Sequence, residues 1–266
     1  MKRIGYAQFS PVLGDLEANR RHVGRILHNL ETDLVVLPEL AFSGYCIKDR
    51  SSALALAEDA GSSVSLDMLA EICAQKKFHA VAGFAEKDGE AVYNSAALVG
   101  PGGLIGVYRK IHLFNFESEL FDPGGKPPEV YDVDGLKIGM MICFDWFFPE
   151  TARLLALAGA EVIAHPANLV LDWCQRSMVT RCLENNLFAV TANRWGTEYR
   201  GHQEVCFTGA SQITAPRARI LASGPIDSDD VQIVEIDPAE AKDKMVTAKN
   251  HLLNDRRPEL YGRLVE

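Results

Sequence analysis

The chain has 266 residues, 47% apolar and 24% charged, with 27 Lys and Arg against 36 Asp and Glu for a net charge of −9. This is ordinary globular composition, long enough to bury a sizeable core, and it excludes disorder as the main state. Net acidity also argues against nucleic acid and an anionic membrane surface as partners, because both are bound through clustered Lys and Arg.

The N-terminus MKRIGYAQFSPVLGD begins basic, but Gln8, Ser10 and Pro11 break any apolar run, so no targeting segment is expected. IGYAQF then reads as a strand, and Val23, Ile26, Leu27 and Leu30 as one face of a helix. LVVLPEL (34–40) reads as a second strand, Leu66, Leu69, Ala70 and Cys73 as a second helical face, and HAVAGF (79–84) as a third strand. The longest uncharged stretch, 91–108, contains Pro101 and glycines at 100, 102, 103 and 106. It is expected to be a hairpin, not a membrane span or a phosphate-binding loop.

The turn-rich FDPGGKPPEV at 121–130 precedes a second run that replays the first. KIGMMICF answers KRIGYAQF, VIAHPAN answers VVLPEL, FAVTAN answers HAVAGF, and FTGASQITAPRARIL answers YNSAALVGPGGLIGV. The expectation is an α/β fold: a single domain, 1–266, of two similar halves, about 1–125 and 126–236, with a C-terminal arm, 237–266, in which Leu252, Leu253, Leu260 and Tyr261 suggest docking. Each half supplies a mixed sheet covered on one face by two helices. Packing the bare faces together gives a duplicated four-layer α-β-β-α sandwich.

Six cysteines (46, 73, 143, 174, 182 and 206) at irregular spacing form no disulfide framework and no zinc pair, which makes a reducing cytoplasm the default. No GxSxG elbow, Walker loop or complete calcium loop is present, and neither a metal nor an organic cofactor is expected. Three positions instead put a reactive side chain at the end of an apolar strand. Glu39 follows LVVLP, where burial makes a carboxylate a candidate general base. Lys110 follows the strand GVYR and there wants an acidic neighbour. Cys143 ends KIGMMI just before the helical start at Pro149 and Glu150, where helix dipoles and a cation can hold a thiolate. Cys73 and Cys182 fall on apolar stripes and read as core. A Cys-His pair is the competing arrangement, since His112 and His165 lie in the same segments, but no papain-like sequence surrounds Cys143.

The ordered set Glu39 in LPELAFSGY, Lys110 in YRKIHLF and Cys143 in ICFDWFFPE resembles the carbon-nitrogen hydrolase family, or nitrilase superfamily, and the resemblance runs from the first strand to the NDRRPELYG tail. It implies the same duplicated fold, with Cys143 as nucleophile, Glu39 as general base and Lys110 as the cation on the tetrahedral intermediate, aided by the Phe144 backbone N–H. By the family's spacing a second carboxylate falls on Glu117, with Glu119 as its competitor, and Asn168 in HPANLV falls on the pocket wall. The resemblance also implies a homodimer or larger oligomer.

Departures from the family pattern bear on substrate. Phe144 and Asp145 stand where dedicated nitrilases carry Trp or Gly followed by Glu, which favours amides over nitriles. Phe147 stands where ω-amidases carry an arginine, which removes a partner for a second carboxylate. The aromatic residues Trp146, Phe147 and Phe148 suit a neutral or apolar acyl group, unless they serve as core packing. The reading is a cysteine-dependent hydrolase of a small carboxamide, acting through a thioester and releasing ammonia, with Phe144, Trp146, Phe147 and Asn168 binding substrate. The alternatives are a nitrilase or N-carbamoyl-amide hydrolase with the same residues, or a non-catalytic binding protein that keeps the fold.

Overall fold

In the computed structural model, which describes residues 1–264 and 266, the first half opens with β1 (Lys2–Gln8) and α1 (Leu16–Leu27). Asp15 caps α1 by accepting the Ala18 N–H at 2.9 Å. β2 (Leu34–Val36) is shorter than the run LVVLPEL suggests. Pro38 has no N–H for a ladder and Leu40 turns left-handed at φ 48°, so the chain leaves the sheet just where Glu39 stands. Then come α2 (Arg50–Leu56), α3 (Val64–Lys76), β3 (His79–Asp88), β4 (Ala91–Gly100), β5 (Gly103–Arg109) and the single turn α4 (Glu117–Leu120). The 91–108 stretch is the expected hairpin, with Pro101 and Gly102 in its turn.

The second half runs β6 (Val130–Val133), β7 (Leu136–Met140), α5 (Pro149–Leu157), β8 (Val162–Ala167), α6 (Cys174–Asn185) and β9 (Phe188–Asn193). A hairpin, β10 (Trp195–Arg200) and β11 (Gln203–Thr208), intervenes before β12 (Gln212–Ala215), β13 (Arg219–Ser223) and β14 (Asp230–Ile236). The two six-stranded sheets have the orders β14-β1-β2-β3-β4-β5 and β13-β12-β9-β8-β7-β6. Each has three parallel strands, β1–β3 or β7–β9, flanked by antiparallel ones. The last strand of the second half does not stay with its sheet: β14 pairs with β1, Ile4 opposite Val234, and fills in the first sheet the place β6 holds beside β7.

Ile4, Tyr6, Leu34, Val36 and Val81 of the first sheet share one apolar cluster with Ile138, Met140, Val162, Ala164 and Val190 of the second. The outer face of the first sheet buries Val23 and Leu27 of α1 and Leu66, Leu69, Ile72 and Cys73 of α3. On the second sheet α5 closes down because Gly139 has no side chain; a Cβ there would meet Leu155 Cδ2 at 2.5 Å. Truncating the buried Leu155 to Ala would cost about 2–5 kcal/mol. The result is the four-layer α-β-β-α sandwich, and burial on both faces explains why its parallel strands read as continuous apolar runs.

The arm is fastened at its start. Asn186, left-handed at the end of α6, donates to the carbonyls of Glu240 and Asp243, and Lys244 donates back to those of Asn185 and Asn186 at 2.8 and 2.7 Å. Further along, Leu252 and Leu253 are half-buried, whereas Leu260 is exposed. Among the described residues no helix is long and apolar enough to cross a membrane.

Candidate active site

The residues singled out at strand ends converge where the carboxyl ends of the two parallel triplets meet, the edge at which open α/β sheets generally bind ligands. Glu39 is brought there by a close crossing. Gly83 of β3 exchanges hydrogen bonds with Pro38 and Ala41, and a Cβ on Gly83 would stand 2.5 Å from the Glu39 Cα. Lys110 is fixed at the end of β5 by main-chain bonds to Asn94 and Gly124. Both side chains are fully buried.

Lys110 Nζ lies 2.7 Å from Glu39 Oε1 and 2.8 Å from Glu117. Asn94 Nδ2 also donates to Glu39 Oε1, at 2.7 Å, which leaves Glu39 Oε2 buried without a hydrogen-bond donor. Glu117 receives the Tyr45 hydroxyl at 2.8 Å and the Phe114 N–H at 3.2 Å. Glu119 points elsewhere, to Arg200 at 2.6 Å, with its side chain 66% exposed. The segment is a helical turn, so residues two apart face different sides. Burial alone would strip the Lys110 proton, but Glu117 and Glu39 outweigh it and hold its pKa above the ordinary value. Burial raises the Glu117 carboxyl above the usual range, with Lys110 opposing.

Cys143 follows β7 in a left-handed conformation, φ 39°, and opens a short helical turn, Cys143–Phe147. Such backbone persists only where its surroundings enforce it. Asp145 reaches back to the Ile142 N–H at 2.9 Å and is itself held by the Tyr108 hydroxyl and His112 Nδ1, each at 2.8 Å. His165 Nε2 donates to the Cys143 carbonyl at 3.0 Å, and its Nδ1 meets Thr191 at 3.0 Å. Both histidines are therefore spent on backbone geometry, and a Cys-His pair is not assembled. The expected resting thiolate is also corrected. Burial pushes the Cys143 thiol well above its ordinary range, Glu39 adds to the effect, and Lys110 opposes it only in part. Two carboxylates against one ammonium leave no net positive charge to hold a third anion.

Beside Cys143 lies a narrow pocket with a cavity volume of about 10 Å³, partly open to solvent. Phe114, Phe144, Trp146, Leu169 and Val170 line it together with Asn168, whose Nδ2 donates to the Glu39 main-chain oxygen at 2.9 Å. Phe147 does not line it. That residue is 47% exposed and packs on Trp146 and Phe144, with ring centroids 5.0 and 5.6 Å apart, because the helical turn carries it past the pocket to the surface. Sequence reading missed Tyr45 and Asn94, whose partners lie 72 and 55 residues away, and Asp145 as the brace of the turn.

The sequence model of the carbon-nitrogen hydrolase family matches residues 3–244. The chain belongs to that family. A protein of Pyrococcus abyssi described as a nitrilase is 41% identical over 99% of this chain and 100% of its own length. An (R)-stereoselective amidase of a Pseudomonas species is 34% identical over 89% of this chain and 84% of its own. The crystal structure of a carbon-nitrogen hydrolase from Helicobacter pylori G27 superposes with a TM-score of 0.90 at 23% identity, covering 100% of this chain and 98% of that one, so the fold is common to both. This carbon-nitrogen hydrolase is accordingly an enzyme that acts on carbon–nitrogen bonds in amidase-like or nitrilase-like fashion.

Proposed function

We propose that this carbon-nitrogen hydrolase cleaves a small neutral or apolar carboxamide to carboxylate and ammonia through an acyl thioester on Cys143. One observation carries the reading: Glu39 has one oxygen tied to Lys110 and Asn94 and the other unpaired, in the same buried cluster as the Cys143 thiol. A neutral thiol next to a free carboxylate oxygen is deprotonated as it attacks, not beforehand.

In the first step the sulfur bonds to the amide carbon and the thiol proton passes to Glu39. The carbonyl oxygen becomes an oxyanion, stabilised by the Lys110 ammonium and by the Phe144 N–H, which sits at the start of a helical turn where N–H groups lack partners within the turn. Glu39 then returns the proton to nitrogen, the C–N bond breaks and ammonia leaves. In the second step water attacks the thioester, Glu39 takes its proton, and the C–S bond breaks with the sulfur recovering that proton. Glu117 keeps Lys110 charged and aimed throughout.

The lining of Phe114, Phe144, Trp146, Leu169 and Val170 supports an uncharged acyl group, since a carboxylate there would be desolvated with no cation among those side chains. A nitrile is the second reading, supported by the 41% identity to the Pyrococcus abyssi nitrilase. Ammonia release from matched amides, nitriles and N-carbamoyl compounds, with Cys143→Ala in parallel, tests both. Turnover of the amides that disappears in the variant is expected; turnover of nitriles alone would replace the first reading by the second. No release by the intact enzyme would point to a binding protein.

A further inference from the structure

The hairpin β10–β11 has no counterpart in the first half, where β3 runs directly into β4. It lies against the loop that follows Glu39. Glu198 on β10 is buried and accepts the main-chain N–H of Tyr45 at 3.0 Å and of Cys46 at 2.6 Å. Its other oxygen pairs with Arg194, which also donates to Ser10 Oγ at 2.9 Å and lies 4.0 Å over the ring of Phe207 on β11. Phe207 in turn meets the Tyr45 ring edge-on at 5.7 Å. Gly44, at φ 74°, lets the loop lie directly on this carboxylate, since a Cβ there would stand 2.9 Å from Glu198 Oε1.

A buried Arg–Glu pair adds little net stability, because desolvation offsets the attraction. What it supplies is a carboxylate fixed in space. We infer that Glu198 is a positioning residue: the hairpin, through Glu198, sets the loop carrying Tyr45, and Tyr45 sets Glu117 against Lys110 through its 2.8 Å hydrogen bond. This deepens the amidase reading above and rests on it. Around Glu198 the titratable and charged groups are Arg194, the Cys46 thiol and Arg200; around Glu117 they are Lys110, Tyr45, Glu39 and the Cys143 thiol.

The test compares Glu198→Gln, Tyr45→Phe and the double variant in the full chain. The Tyr45 hydroxyl favours the charged form of Glu117, so its loss moves the acidic limb of kcat/KM to higher pH, by about 0.5–1 unit. Glu198→Gln is expected to shift the limb the same way and to lower kcat about tenfold with KM little changed. The double variant should then be within about twofold of Tyr45→Phe alone, since both act through one bond. A Glu198→Gln enzyme with the limb in place, or an effect that adds in full to Tyr45→Phe, overturns the proposal. Glu198→Asp keeps the charge against Arg194 but draws the carboxylate back by one methylene, and it should give a shift of the same sign. If neither Glu198 variant folds, the pair is a structural staple and the proposal fails. Should the unmodified enzyme turn over no substrate, the amidase reading falls separately. The pH profile of Cys143 alkylation by iodoacetamide, resolved by peptide mass, then decides: Glu198→Gln and Tyr45→Phe displace it together if the proposal holds and leave it unmoved if not.

Discussion

Asn168 donates to the main-chain oxygen of Glu39 at 2.9 Å, and so joins the two points at which each half of the chain leaves the middle strand of its parallel triplet. VVLPEL and VIAHPAN are the repeated segments, and the bond between their ends crosses from one sheet to the other. Asn168→Ala would leave a buried carbonyl unpaired, a loss of about 1–3 kcal/mol. The expected result is a drop of roughly 10- to 100-fold in kcat/KM as Glu39 loses its seat. Steady-state kinetics on a small amide would measure it, and full activity in the variant would show that the bond does not position the proposed base.

The buried Glu39–Lys110–Glu117 cluster separates catalysis from stability. Lys110→Ala leaves two carboxylates facing each other without a cation, which should destabilise the fold by about 3–5 kcal/mol and lower kcat at least about a hundredfold. Adding Glu117→Gln should recover much of the thermal stability and none of the activity. A double variant that regains turnover would remove Lys110 from the chemistry. Glu39→Gln should cost at least about a hundredfold in kcat, and His112→Ala, which loosens the grip on Asp145 and removes the stack on Phe148, less than about tenfold.

Much of this arrangement is legible in the sequence because burying a reactive group at a strand end breaks local patterning. Glu39, Lys110 and Cys143 are visible for that reason, and the internal repeat gives the two-sheet sandwich. What stays hidden depends on contacts between distant segments or on backbone angle. Tyr45 and Asn94 look like ordinary loop and strand residues until the fold brings them to Glu117 and Glu39. The left-handed turn at Cys143 carries no glycine to announce it, and it sends Phe147 outward although its neighbours Phe144 and Trp146 line the pocket. The neutral thiol follows from counting the charges in the cluster, which spacing alone does not reveal.

His165 is fully buried, and burial lowers its pKa to about 4, the carbonyl of Cys143 opposing only in part. Above about pH 6.5 the imidazole is neutral in both folded and unfolded chains, and its contribution is fully present. As pH falls from there toward 4 the unfolded chain takes up the proton and the folded chain does not. Stability should drop by about 1.4 kcal/mol per unit, roughly 3 kcal/mol in all. Urea unfolding of the intact protein and of His165→Gln at pH 7.5 and 4.5 would measure this. An equal decline in both proteins would assign the acid sensitivity to other groups.

Specificity should follow the pocket lining. A neutral aliphatic amide should exceed a monoamide with a free distal carboxylate by roughly 10- to 1000-fold in kcat/KM, the equivalent of about 1.4–4 kcal/mol of unpaired carboxylate burial in the transition state. Butyramide and succinamate provide the comparison. Because Phe147 is on the surface, Phe147→Arg should change the ratio less than about threefold, whereas Phe144→Arg should narrow it. A charged substrate turned over as well as the neutral one would mean that a cation from outside this lining reaches the pocket.

The thioester on Cys143 is tested most directly by acyl transfer to hydroxylamine during turnover of a small neutral amide. Hydroxylamine intercepts an acyl-enzyme, so the intact protein should form the acyl hydroxamate at the expense of the free acid, with one ammonia released per acyl group transferred, and Cys143→Ala should form neither hydroxamate nor ammonia. Ammonia release unaccompanied by hydroxamate at any hydroxylamine concentration, or turnover surviving in Cys143→Ala, would contradict the account.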